Sequence, residues 1–323
     1  VRNGATKARM ILDTKQSGVK TITGQLQRVI LPRLFDAILQ LLYVLCLVLD
    51  GDDTAIEAFV LDFSDAFWQI AIAREEQKYY CATGLIDGKR KWFVFLRAAQ
   101  GSAAGPTLWG RVAALVMRLT QSLFKLTEAR LVCYVDDPLA AIRGSDADRR
   151  LFAAIMVLVW MALGFKLAFA KGQLGRQVTW IGGTLHIEAL GIRAFVKQSI
   201  IDDIRSMIRA FLQTNLVPKK DMHSFIGKVN HCAGLLIILR PFMDPLWAAW
   251  SSASPVDRPG MIWTKRIRTE LTWFDTFFAG NGYRIERFFS TEAYRRAGTI
   301  VEIGTDASPW GLGGCLKVNG KYT

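Results

Sequence analysis

Short apolar runs alternate along this chain with longer stretches in which apolar residues recur every three or four positions. "AFVLDF" (58–63) and "LVCYV" (131–135) are short and rich in β-branched and aromatic residues, so they predict buried strands. Between them, residues 105–126 carry Leu108, Val112, Leu115, Val116 and Leu119 at helical spacing, which predicts a helix with an apolar stripe. A second helix is expected over 145–163, opening with the capping sequence "SDAD". This is a strand–helix–strand–helix core. After residue 195 the pattern turns helical: Ile200, Ile204, Met207, Ile208 and Phe211 share one face, a helix over about 219–239 follows Pro218, and Ile267, Leu271 and Phe274 keep step in a third. The Ser- and Pro-rich "SSASPVDRPG" (251–260) reads as a linker.

Two apolar runs invite a membrane reading. "AILQLLYVLCLVL" (37–49) is too short to span, and 151–170 carries Gly164 and Lys166 near its end, so a buried helix followed by a strand is expected there. The five cysteines (Cys46, Cys81, Cys133, Cys232, Cys315) show no CxxC spacing, which excludes a visible zinc knuckle; most sit in apolar runs and are expected to be small core residues in a reducing, intracellular setting, with no secretory leader in "VRNGATKARM". The 323 residues suffice for about two domains. Forty-one Lys and Arg against 28 Asp and Glu leave a net charge of +13, the balance of a protein with a polyanionic partner. The chain opens without methionine and stops at "NGKYT", so both ends are expected to be cuts in a longer polypeptide.

Charge inside apolar runs marks the candidate chemistry. In "FVLDFSDAF" (59–67), Asp62 ends a strand and Asp65 follows; such an Asp is either a cap for the next turn or a ligand. In "CYVDDPLAAI" (133–142), Asp136 and Asp137 are either a solvated hairpin turn or a cation site. If the two strands are neighbours, three carboxylates converge, the donor set that holds two hard cations for in-line nucleotidyl transfer.

"FVLDFSDAF", "AAQGSAAGP", "CYVDD", "LGFKLAFAKGQ" and "VTWIGGTLHI" occur in the order of the palm motifs of reverse transcriptases, and are most similar to those of retroelements with long terminal repeats and related families. The resemblance covers about residues 5–250. It implies an α+β right-hand polymerase: partial fingers and palm over 1–195, the palm an antiparallel sheet backed by helices, a helical thumb over 196–250, and a connection over 251–298. It also implies RNA-directed DNA synthesis on an RNA or DNA template with primer, from deoxynucleoside triphosphates, with two Mg²⁺ ions (Mn²⁺ as substitute) and no membrane. Asp62 and Asp136 would be the metal-holding carboxylates, with Asp137 in the third acidic position. Phe67 would crowd the sugar 2′ carbon, and Phe63, Ser64, Asp65 and Ala66 would lie under the triphosphate. Tyr134 and Val135 would face the primer terminus, Gln100 and Gly101 the template and nucleotide, and Lys171 the leaving pyrophosphate. In "KARMILD", Arg9 would clamp phosphate, with Lys7 and Arg2 as further candidates. Gly182 and Gly183 match the primer-grip hairpin, where glycine lets nucleic acid approach, and Lys228 with Asn230 the duplex-facing thumb helix. "VEIGTDASPWGLGGCL" (301–316) resembles the start of a ribonuclease H domain, truncated over 299–323, with Asp306 at its first metal-binding carboxylate.

Some positions depart from the family pattern. Ala98 and Ala99 replace Leu-Pro before Gln100, Gly105 replaces Ser before Pro106, and Pro138 removes a backbone donor from the returning strand and is expected to loosen the hairpin. "GDD" (51–53) imitates the tripeptide of RNA-dependent RNA polymerases but precedes the first strand, so it reads as a polar turn. His223, His231 and Cys232 lack a fourth ligand for zinc. Two rivals stand beside the polymerase reading: an RNA-dependent RNA polymerase, which Phe67 opposes, and a decayed, non-catalytic nucleic-acid-binding fragment, which the intact acids oppose.

Overall fold

A computed structural model describes residues 11–14, 16, 18–22, 29–48, 54–102, 104–252, 260–280, 285–309 and 311–322. Arg2, Lys7, Arg9, the 51–53 turn and most of the 251–260 linker lie outside the described residues. After a one-turn helix α1 (Val19–Ile22), helix α2 (Leu34–Leu45) leads into strand β1 (Ala55–Val60). A hairpin follows, β2 (Cys81–Ile86) and β3 (Lys89–Val94), and then helix α3 (Gly105–Gln121). Strands β4 (Ala129–Tyr134) and β5 (Asp137–Gly144) precede helix α4 (Asp146–Ala162) and strand β6 (Gln173–Gly175). The sheet order β4-β5-β1-β6 places β1 in the middle, antiparallel to both neighbours.

Alternation along β1 explains why its sequence reads as continuously apolar: both faces are covered. Phe59 and Leu61 turn toward α3 and α4, where Phe63, Trp109 and Trp160 complete an aromatic core with ring centres 5.3–5.5 Å from Phe63. Ile56, Ala58 and Val60 turn the other way, onto α2 and a second sheet. That sheet has the order β12-β9-β8-β7, from β7 (Gln177–Trp180), β8 (Gly183–Glu188), β9 (Gly191–Val196) and β12 (Glu286–Ser290). Helices α5 (Gln198–Leu212), α6 (Lys219–Ala233), α7 (Asp244–Ser251) and α8 (Arg268–Phe278) pack into the same core, beside a short pair of β10 (Leu216–Pro218) with β11 (Met261–Trp263). A short helix α9 (Thr291–Arg295) precedes a separate meander of β13 (Val301–Ser308), β14 (Gly311–Val318) and β15 (Lys321–Tyr322). Helices with antiparallel sheets form the α+β architecture expected of a polymerase hand.

Several expectations change. Helix α3 buries Trp109, Ala113, Val116, Met117 and Thr120, while Leu108, Leu115 and Leu119 are exposed. Two stripes of the helix repeat equally well, and the Thr120 hydroxyl, which accepts from the Trp160 indole at 2.9 Å, marks the inner one. The expected helix over 219–239 ends at Ala233, and a 3₁₀ turn covers Ile237–Phe242. The strand expected after α4 is instead a single bridge, Phe63 to Leu167, followed by a 3₁₀ turn at Phe169–Lys171. Of the "ARMILD" strand the described part, from Ile11, is irregular chain. Only Cys232 of the five cysteines is buried; Cys81 and Cys315 are exposed. Among the described residues, no helix is long and apolar enough to cross a membrane.

Candidate active site

The acidic residues meet because of strand register. β1 pairs with β5 up to Val60 opposite Leu139, and continuing two residues sets Asp62 opposite Asp137. Two backbone bonds carry that register past the ladder: Leu61 N–H to the Pro138 carbonyl at 3.4 Å and Phe63 N–H to the Asp136 carbonyl at 2.8 Å. Alternation then puts Asp62 on the face of Ala58 and Val60, and Asp137 on the face of Leu139 and Ala141. These are the same face of the sheet. In a strand, N–H and C=O of one residue point to one side, so the donor that Pro138 lacks faces β1, not β4. The missing bond is therefore the return bond to Leu61, and the regular ladder stops at Val60, two residues short of Asp62. The loosening expected in the hairpin falls on the β1 seam instead.

The hairpin itself is pinned. Tyr134 pairs with Asp137 across a two-residue turn in which Val135 adopts φ +56°, a left-handed conformation costly for a β-branched residue. Four donors hold the turn's carbonyls: the Trp109 indole at 2.6 Å and the Cys133 thiol at 3.3 Å on Val135, the Phe63 amide on Asp136, and the Trp180 indole on Asp137 at 2.9 Å. These indoles were not among the candidates read from sequence. Their one signal was chemical: a buried Trp N–H needs an acceptor.

The electrostatics are those of crowded acids. Asp137 Oδ1 is buried without a hydrogen-bond partner. Burial, then the Asp62 and Asp136 carboxylates, push the Asp137 acid up to about 7, while Lys171 pulls the other way. Burial, then the Asp137 and Asp136 carboxylates, raise the Cys133 thiol, which stays protonated. The Lys171 ammonium lies on Asp62 Oδ2. Lys171 arrives there because β6 runs antiparallel along the free side of β1 and the Asp62 carbonyl accepts the Ala168 N–H at 2.9 Å. Among the described residues no group of three His, Cys, Asp or Glu side chains is arranged to hold a metal as it stands. The donor set nevertheless suits a hard divalent cation: three carboxylates, one with an orphaned buried oxygen, and a lysine in the place of the counter-charge.

Around these acids the other candidates fall into place unevenly. Asp65 has φ +51° and opens a 3₁₀ turn, Ala66–Gln69. Ser64 is fixed by its amide on the Lys166 carbonyl at 2.8 Å. Phe67 lies against Gly105, where an added Cβ would stand 3.4 Å from its ring. Gln100 accepts the Leu12 amide at 2.7 Å, and Gly101, at φ +97°, accepts the Thr14 hydroxyl at 2.9 Å. Ile181 and Gly182 form a tight turn, but the space that the glycines leave is filled by protein: His231 stands against Gly182 and Leu34 against Gly183. Burial lowers the His231 pKa. Tyr134, Gly182, Gly183, His231 and Trp247 line a cleft of about 580 Å³ between this turn and α6. Lys228 is paired with Asp203 at 2.7 Å. Asp306 lies on exposed β13, remote in the fold from the other acids, and accepts the neighbouring Ala307 amide.

The family model described as reverse transcriptase (RNA-dependent DNA polymerase) matches residues 4–185. A foamy viral protease-reverse transcriptase dRH, solved in complex with double-stranded DNA, is similar over 100% of this chain and 50% of its own, with a TM-score of 0.61 and 17% identity. Foamy viral protease-reverse transcriptase with double-stranded DNA gives a TM-score of 0.55 at 17% identity, covering 98% of this chain and 57% of that one. The same protein with an RNA/DNA hybrid gives 0.53 at 17% identity, covering 81% and 31%. At that identity the likeness is one of fold, and the chain spans about half the length of the first of these structures. Curated proteins include no match.

Proposed function

The chain belongs to the reverse transcriptase (RNA-dependent DNA polymerase) family, and on that premise we propose that it is the polymerase core of an RNA-directed DNA polymerase, extending a primer with deoxynucleotides. The observation that carries this reading is the meeting of Asp62 and Asp137 on one face of the sheet, with Asp136 at the turn beside them. Asp62, Asp136 and Asp137 would hold two Mg²⁺ ions, which supply charge stabilisation and an activated primer hydroxyl when bound. Lys171 would leave Asp62 and meet the departing pyrophosphate. Phe67, backed by Gly105, would exclude a 2′ hydroxyl. Phe63 to Ala66 would support the triphosphate through their backbone, and the Gln100–Gly101 turn would meet template and nucleotide. Arg9 remains the candidate phosphate clamp. Tyr134 and Val135, with the cleft between the 181–183 turn and α6, would seat the primer strand. Residues 1–195 would serve as fingers and palm, 196–250 as thumb and 251–298 as connection, with 299–323 and Asp306 opening a ribonuclease H-like unit.

Primer extension on poly(rA)/oligo(dT) tests the reading. The parent is expected to incorporate deoxynucleotide with Mg²⁺ or Mn²⁺, and Asp136→Asn to lose it. Equal incorporation by both proteins would remove the catalytic assignment.

A further inference from the structure

The β2–β3 hairpin has no core of its own. Among the described residues it pairs only with itself, and every residue of β3 is exposed. A two-stranded ribbon alone in water is marginal, yet this one is built to hold its shape. Asp87 and Gly88 both take positive φ, +52° and +72°, giving the Asp-Gly turn whose twist matches the strands. The Phe93 ring covers Gly84, where an added Cβ would meet it at 3.2 Å. At the base, the Phe95 amide donates to the Tyr80 carbonyl at 2.8 Å, and Phe95 packs on Trp68 with ring centres 5.8 Å apart. The ribbon therefore springs from the chain between Phe67 and Gln100.

Register sorts its side chains. Thr83 pairs with Trp92 and Leu85 with Arg90 on one face; Gly84 pairs with Lys91 and Ile86 with Lys89 on the other. Trp92 and Leu85 are each 75% exposed. Among the described residues, Lys89, Arg90 and Lys91 form no ion pair, and the tip carries one acid, Asp87. Arg90 shares the face of the bare indole ring, and Lys89 and Lys91 add uncompensated charge from the reverse face, a set that matches a polyanion which also offers flat, apolar faces. A duplex keeps its bases stacked on one another, whereas a single strand presents them.

We propose that the β2–β3 ribbon binds single-stranded nucleic acid, with an unpaired base stacked on Trp92, the adjoining phosphate on Arg90 of the same face, and the flanking phosphates drawn round the ribbon's edge to Lys89 and Lys91. The polymerase reading enters only in the strand's identity, the unpaired template beyond the primer terminus. Binding is measured without catalysis, so the two readings fail separately: incorporation by Asp136→Asn would sink the polymerase assignment and leave the ribbon's result intact.

The test is fluorescence anisotropy of the whole chain with a labelled 12-nucleotide RNA and with a blunt duplex of the same length, over a salt series. Trp92→Leu, which keeps apolar bulk but no flat ring, is expected to weaken single-strand binding about tenfold and leave the blunt duplex unchanged; Trp92→Phe should recover most of the loss. Lys89→Gln, Arg90→Gln and Lys91→Gln together should reduce the slope of log affinity against log salt by about two. Parent-like binding of the single strand by Trp92→Leu, or an unchanged salt slope in the triple variant, overturns the proposal, as does equal loss on the duplex. A change in sedimentation, with affinity unaltered, would assign the ribbon to contact between copies of the chain instead. Unchanged circular dichroism melting excludes a folding defect, and the triple charge variant carries the comparison if Trp92→Leu melts early.

Discussion

The Trp109 indole donates to the carbonyl of Val135, 26 positions on, at 2.6 Å, and so holds the one strained residue of the acidic turn. Trp109→Phe keeps most of the ring but leaves the Val135 carbonyl only the weak Cys133 thiol donor at 3.3 Å, a loss of about 1 kcal/mol. Urea unfolding should register it, and primer extension should fall at least tenfold, because small displacements of reacting groups are expensive. Val135→Gly should release about 1 kcal/mol of left-handed strain while also lowering extension, since the turn loses its rigidity.

The raised acid of Asp137 sets a pH dependence in the metal-free protein. Its folded pKa of about 7 lies above the ordinary 3.8, so the folded chain retains a proton that the unfolded chain has released. Stability should therefore fall as pH climbs from about 4 to 7 and then level off, a change on the order of 3 kcal/mol. Urea unfolding in EDTA across that range should show the slope, and Asp137→Asn should flatten it.

Lys171 occupies the Asp62 carboxylate, and on the proposed reading a divalent cation would compete with it there. Lys171→Met should bind Mn²⁺ more tightly than the parent in the absence of nucleotide, as read by loss of the free-ion paramagnetic signal. Its metal-free form should melt earlier, because Asp62, Asp136 and Asp137 lose their neighbouring cation. Unchanged Mn²⁺ affinity would show that the lysine leaves the site freely.

Gly101 joins the start of the described chain to the palm. At φ +97° an added Cβ would overlap the Leu12 carbonyl. Gly101→Ala should cost about 2–4 kcal/mol, from left-handed strain plus the overlap. Hydrogen exchange at the Leu12 amide, now bound to Gln100, should accelerate more than exchange in β1.

Much of the site was legible because motif order and strand type place Asp62 beside Asp136 and Asp137. Which of the pair faces Asp62 was not, since it depends on a register that only the Val60–Leu139 pairing settles. The helix over 105–121 was legible, but its inward face was not: Leu108, Leu115 and Leu119 repeat as regularly as Trp109, Ala113, Val116 and Thr120. Tertiary partners break that tie, through the Trp109 and Trp160 indoles. The glycines of the 181–183 turn were read as points where nucleic acid comes close, whereas within the fold the groups against them are Leu34 and His231. Sequence spacing cannot say which neighbour fills a gap.

Pro138 makes the acidic seam between β1 and β5 a place of unequal grip. Upstream, Ala55 to Val60 are locked rung by rung to β5. At Leu61 the only bond is a long one, running one way. The Glu57 and Phe59 amides, which face β5 as Leu61 does, should then exchange with the global unfolding of the palm, while Leu61 exchanges through a smaller, local opening. The strand thus carries a built-in release point one residue before Asp62, so the acids can shift together with the hairpin while the sheet beneath them stays closed.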